Sequence, residues 1–84
     1  MIVTLTPNQR YIMNDILVIA VPIEDGWWQL TDVAWQRKVG DEPWIWSVSP
    51  EGIIYEGMVI SGKQPPYRTT GADTGLTLRD LQQD

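Results

Sequence analysis

The side chains that most often do chemistry near neutral pH are missing here: the 84 residues include no His and no Cys. The usual general base and the best thiol nucleophile are therefore absent, and zinc and iron–sulfur centres lose their main ligands with them. What remains is carboxylate chemistry, a lysine beside a glycine at Gly62-Lys63, and an unusual supply of indole, five Trp with no Phe.

The carboxylates give little purchase for catalysis. Asp73-Thr74-Gly75 is the triplet of aspartic proteases, but that chemistry needs two such aspartates sharing one proton. Here the triplet follows the polar Thr69-Thr70-Gly71 rather than an apolar strand, and a Gly/Thr/Asp turn accounts for it. Glu24-Asp25 and Asp41-Glu42 are neighbouring carboxylates in expected turns. A calcium site needs six to eight oxygens in a fixed frame, and no Asp-x-Asp-x-Asp-Gly loop occurs. Lys63 would be nucleophilic only if desolvated, and its surroundings are polar. The expectation is a non-enzyme with no catalytic residue, no metal site and no cofactor.

The indoles carry the positive expectation. Trp27 and Trp28 are consecutive, so in a strand they point to opposite faces, one to the core and one to the surface. Trp44 and Trp46 share a face. If Trp28 and Trp35 fill the core, aromatic area is left over for a patch rimmed by Glu24, Asp25, Asp41 and Glu42. Central aromatics with charge outside is the anatomy of a protein-binding hot spot. The expected partner-binding residues are Trp27, Trp44 and Trp46 as anchors, with Asp25 and Glu42 steering a basic partner. The competing reading is that all five rings fill a thin barrel interior that has no Phe.

A fold must position these groups. One domain is expected, with a β-rich core over residues 1–60, a loop or arm over 61–75 and a short carboxy-terminal helix over 76–84. Ile2–Leu5 reads as a short strand. Thr6-Pro7-Asn8-Gln9 combines an N-cap, a first-turn proline and a capping-box glutamine, which predicts a short helix near 7–14, a loop with one helical turn being the alternative. Ile16–Val21 is β-branched and apolar on both faces, as in a strand buried on both sides. Glu24-Asp25-Gly26 is a hairpin turn, and Trp27–Thr31 the returning strand.

Beyond it the alternation shifts by one residue, with Val33, Trp35, Arg37 and Val39 on the odd-numbered face, so a bulge or tight bend is expected near Thr31-Asp32. Gly40-Asp41-Glu42-Pro43 turns into a strand through Trp44, Trp46 and Val48. Pro50-Glu51-Gly52 turns into another over Ile53–Ile60, with Gly57 marking a bulge or close approach. Thr77 and Asp80 form a capping-box pair that predicts a helix near 77–83. The sum is mainly β, a small five- to six-stranded barrel or strongly bent antiparallel sheet.

One stretch is familiar. Asn14-Asp15-Ile16-Leu17-Val18-Ile19, followed by Glu24-Asp25-Gly26-Trp27-Trp28-Gln29-Leu30, resembles the centre of a Src-homology-3 domain. There a Gly-Asp-Ile-Leu-x-Val strand leads through an acidic loop to Asp-Gly-Trp-Trp. The resemblance implies a small barrel, with Trp27 matching the family's ligand-facing tryptophan, which packs on proline-rich peptides. It is confined to residues 14–30. The family's Ala-Leu-Tyr-Asp-Tyr motif is missing before it, and Pro-x-Asn-Tyr-Val does not follow it, so the resemblance bears on fold rather than ligand.

Charge narrows the partner. The net charge is −5 with a pI near 4.4, and the six basic residues are scattered, which argues against direct nucleic-acid binding. A protein partner with a basic surface fits better. Two further readings stand beside this one: a small acidic inhibitor of phage or mobile-element type that blocks a basic groove by mimicking nucleic acid, and an accessory subunit of a larger assembly. The longest apolar run, Ile16–Ile23, is far short of the roughly 20 residues that span a bilayer. With no cysteine and no basic-then-apolar opening, a cytoplasmic setting is expected.

Overall fold

The computed structural model describes residues 4–34, 38–40, 42–60 and 62–84. In chain order the strands are β1 Arg10–Met13, β2 Ile16–Pro22, β3 Trp28–Asp32, β4 Lys38–Val39, β5 Glu42–Pro43, β6 Ile45–Val48, β7 Ile53–Glu56, β8 Asp73–Thr77 and β9 Leu81–Gln83. Seven of them form one sheet in the order β8-β7-β6-β3-β2-β1-β9, and β4 and β5 make a separate two-stranded ribbon. Every pairing is antiparallel.

The topology forces a curl. β8 and β9 sit at opposite ends of the sheet, yet one 3-10 turn of three residues, Leu78–Asp80, joins them. Three residues reach about 10 Å at most, whereas a flat seven-stranded sheet is about 29 Å across at ~4.8 Å per strand. The sheet therefore rolls into a half-barrel. Its inner face holds Tyr11, Met13, Val18, Ala20, Leu30, Trp46, Val48, Ile54 and Leu81, with Leu5 and Ile16 at the margin. Trp28, Trp44, Leu76 and Leu78 are partly buried and pack against this cluster.

Local chemistry sets the hairpins. Asn14 and Asp15, at φ 49° and 70°, form the two-residue turn between β1 and β2. Asp25 and Gly26, at φ 54° and 82°, turn β2 into β3, and Trp27 N–H donates to the Glu24 carbonyl at 2.9 Å. Paired positive φ values define type I′ geometry, whose twist matches that of the flanking strands.

Neither expected helix forms; among the described residues there is no α-helix. Near 7–14, Thr6 to Gln9 closes only one turn, the Gln9 N–H donating to the Thr6 carbonyl at 3.2 Å, with Asn8 at φ 64°. That left-handed residue stops a helix from growing past Pro7. Tyr11 and Met13 then alternate inward, both 2% exposed, a period of two that only a strand satisfies. Near 77–83 the capping box does form, with Thr77 N–H donating to Asp80 Oδ2 at 2.8 Å and Arg79 N–H to Thr77 Oγ1 at 3.3 Å. It caps one 3-10 turn, because Leu81 is captured by the core and paired with Met13. A two-turn helix is too weak on its own to compete with that burial. These two segments supply β1 and β9, and with β8, which begins inside the expected arm, they bring the sheet to seven strands instead of five or six.

Other expectations fall differently. Of the strand expected over Ile2–Leu5, Ile2 and Val3 lie outside the described residues, and Thr4 and Leu5 are not in a strand. The phase shift near Thr31-Asp32 is a bend at Val33-Ala34 after β3 ends; Trp35 and Arg37 lie outside the described residues. Residues 61–75 are only in part an arm, since β8 begins at Asp73.

β8 is an edge strand with an unusual finish. The N–H groups of Gly75, Leu76 and Thr77 donate to Asp73 Oδ1, Thr74 Oγ1 and Asp80 Oδ2, at 2.8, 3.1 and 2.8 Å. Gly75 takes φ 82°, inside the bulge that separates the Ile53↔Thr77 and Tyr55↔Asp73 pairs. Among the described residues no helix is long and apolar enough to cross a membrane.

Gly57 ends β7 at a close approach. A Cβ built there would stand 2.8 Å from both the carbonyl oxygen and Cγ1 of Ile45, and Gly57 N–H donates to that same carbonyl. Gly57→Ala is therefore expected to cost about 1–3 kcal/mol, read as a lower urea midpoint. An unchanged midpoint would show that the backbone at Ile45 yields freely.

Candidate protein-binding surface

The sheet has a second, outer face, on which the odd-numbered positions of β3 and β6 emerge: Gln29, Thr31, Ile45 and Ser47, in register as Gln29↔Ser47 and Thr31↔Ile45. An outer face of such residues would ordinarily be wet. Here Gln29 is 2% exposed and Ile45 and Ser47 are also buried, because residues 57–60 and 62–71 run back over them.

The strap is fastened at several points. Tyr67 is buried, and its N–H donates to Gln29 Oε1 at 3.0 Å. Gln29 Nε2 donates in turn to Thr31 Oγ1 at 2.9 Å, and Ile60 N–H donates to the Tyr67 hydroxyl at 2.8 Å. Ser47 Oγ–H donates to the Thr69 carbonyl, and Gly71 N–H to the Glu56 carbonyl. Met58 N–H donates to Thr69 Oγ1 at 2.7 Å. The strap thus meets its polar groups without a ladder of its own.

Trp27 stands at one end of this face. The turn Glu24-Asp25-Gly26 delivers it opposite to Trp28, so Trp28 packs against the core and Trp27 remains half-buried outside. Its ring meets that of Tyr55 on β7, centroids 6.0 Å apart and planes tilted by 36°. The Arg68 guanidinium, carried by the strap, lies over Trp27 with Cζ 4.5 Å from the ring centroid. Such contacts are worth about 0.5–1.5 kcal/mol for the ring pair and about 0.5–1 kcal/mol for an exposed cation over an indole. A similar pairing sits further along, with Lys63 Nζ 5.1 Å from the centroid of Tyr67.

The expected site residues divide accordingly. Trp46 is 2% exposed within the core, so it is a core residue and not an anchor. Trp44 packs partly buried against that same core. Neither joins Trp27. Asp25 is exposed at the tip beside Trp27, together with Glu24. Glu42 is half-buried and borders a cleft of about 290 Å³ with Lys63 and Tyr67, whereas Glu24 borders another of about 480 Å³ with Lys63, Tyr67 and Arg68. Asp41 lies outside the described residues. Glu24 and Glu42 thus border different clefts, with Lys63 lining both and Arg68 only that of Glu24.

Asp73 is exposed, and Oδ1 accepts from Gly75 N–H within the bulge. Among the described residues no group of three or more Asp and Glu side chains is placed to hold a metal.

Tyr55, Gln29 and Arg68 belong to this surface but were not expected there. The signal for Gln29 was its shared face with Trp27, two residues away. The signal for Arg68 was its position next to Tyr67, the only bulky residue of a polar stretch. No protein-family model, curated protein or solved structure matches the chain, so the surface rests on its own geometry.

Gln29 is the strap's deepest fastening. Gln29→Leu would leave the Tyr67 N–H buried without an acceptor, at a cost of about 1–3 kcal/mol. Amide exchange across residues 62–70 should accelerate more than exchange in β2. Uniform acceleration would show that the strap has no stability of its own.

Proposed function

We propose that this chain is a non-catalytic protein-binding module whose contact surface is the outer face around Trp27 and Tyr55, with Glu24 and Asp25 drawing in a basic partner. The observation that carries the reading is the Trp27 ring itself: half-buried, in contact with the Tyr55 ring and holding the Arg68 guanidinium over it. A ring so fixed loses little conformational freedom when a partner's cationic side chain lies on it. Glu24 and Asp25 supply long-range attraction and a faster encounter. The curled antiparallel sheet, with its Asp25-Gly26 hairpin leading into Trp27-Trp28, is compatible with a Src-homology-3-like arrangement, and the lack of cysteine fits a cytoplasmic setting.

Peptides selected from a random library against the immobilised protein test the reading. Selected sequences should be rich in Arg and Lys. They should lose at least about tenfold in affinity on Trp27→Ala, as hot-spot truncations do, and be indifferent to Met58→Ala, a change at an exposed side chain on the strap. Glu24→Gln with Asp25→Asn should slow association and flatten its salt dependence. Selected peptides whose affinity survives Trp27→Ala would refute it.

A further inference from the structure

The Trp27 face that a cationic partner would use is already taken by a cation from the same chain. We propose that Arg68 is a built-in competitor, its guanidinium occupying the indole until the partner's cationic side chain displaces it. This rests on the reading of Trp27 as a cation-accepting anchor and adds to it a regulation of the site from within.

Three observations support it. First, the backbone on either side of Arg68 is clamped, by Tyr67 N–H on Gln29 and by the Thr69 carbonyl and hydroxyl on Ser47 and Met58. The strap therefore delivers the guanidinium to Trp27 at high effective concentration, and release needs only a side-chain rotation. Second, Arg68 is exposed, and among the described residues the only ion pair joins Arg10 to Asp84. Arg68 is held by the ring, not by a carboxylate. Third, Glu24 shares its cleft with Arg68 yet forms no ion pair among the described residues, which leaves this carboxylate available to whichever cation arrives. Lys63 over Tyr67 does not offer a second such site, because Tyr67 is buried where the strap is fastened to the sheet.

The blocked tripeptide acetyl-Ala-Arg-Ala-amide and its neutral citrulline counterpart serve as probes. Each is titrated into the full chain while the indole N–H resonance of Trp27 is followed. Removing an exposed cation–indole contact should tighten arginine-peptide binding by about two- to five-fold in Arg68→Ala, and similarly in Arg68→Gln, which keeps much of the length without the charge. The citrulline peptide should leave the resonance in place.

Two results would overturn the proposal, and they differ. If the arginine peptide moves the Trp27 signal but both variants bind equally or more weakly, Arg68 is no competitor, although the ring still takes cations. If the peptide moves that signal in none of the three proteins, the cation-accepting anchor fails too.

Discussion

The bond from Tyr67 N–H to Gln29 Oε1 joins the strap to the middle of the sheet, and the candidate surface depends on it. A buried amide side chain on the outer face has to find both a donor and an acceptor, or its burial is costly. Gln29 meets both needs, accepting from Tyr67 and donating to Thr31. Strap and sheet are therefore mutually required. Without the strap, Gln29, Ser47 and Ile45 would face water; without Gln29, the Tyr67 backbone would be buried unsatisfied. With both in place, Arg68 is brought to Trp27.

This arrangement also accounts for the distribution of indole. Here the half-barrel encloses Trp46 and takes Trp28 and Trp44 at its margin, while Trp27 goes to the opposite side. The division follows from β pleating: residues 27 and 28 cannot both point inward. Bulky aromatics compensate for the lack of Phe inside.

Much of the fold could be read from the residues. The Asp25-Gly26 turn, the Gly57 close approach and the split of Trp27 from Trp28 follow from local stereochemistry, which the chain carries in its own sequence. The helices at 7–14 and 77–83 did not survive, and for one reason. Capping residues describe how a helix would begin, but whether it continues depends on what the next residues gain elsewhere. Met13 and Leu81 gain a mutual strand pairing and a place in the core. That gain is a property of the closed sheet and is invisible in a local window. The same holds for Gln29 and Arg68, whose meaning comes from a chain segment roughly forty residues away from one and from the turn at Asp25 for the other. The spacing of Trp44 and Trp46 fixes a shared face without saying which side the core lies on, so the residues alone are as consistent with a surface as with the interior that the fold gives them.

The finish of β8 has a consequence for how the molecule behaves in company. An exposed sheet margin is an invitation to another chain, since bare amide hydrogens can template an added strand. At Gly75 and Thr77 those hydrogens are engaged by the side chains of Asp73 and Asp80. Concentrated solutions should then lack the strand-to-strand stacking that leads small β proteins toward fibrils, at least along this margin, and self-association would have to begin elsewhere.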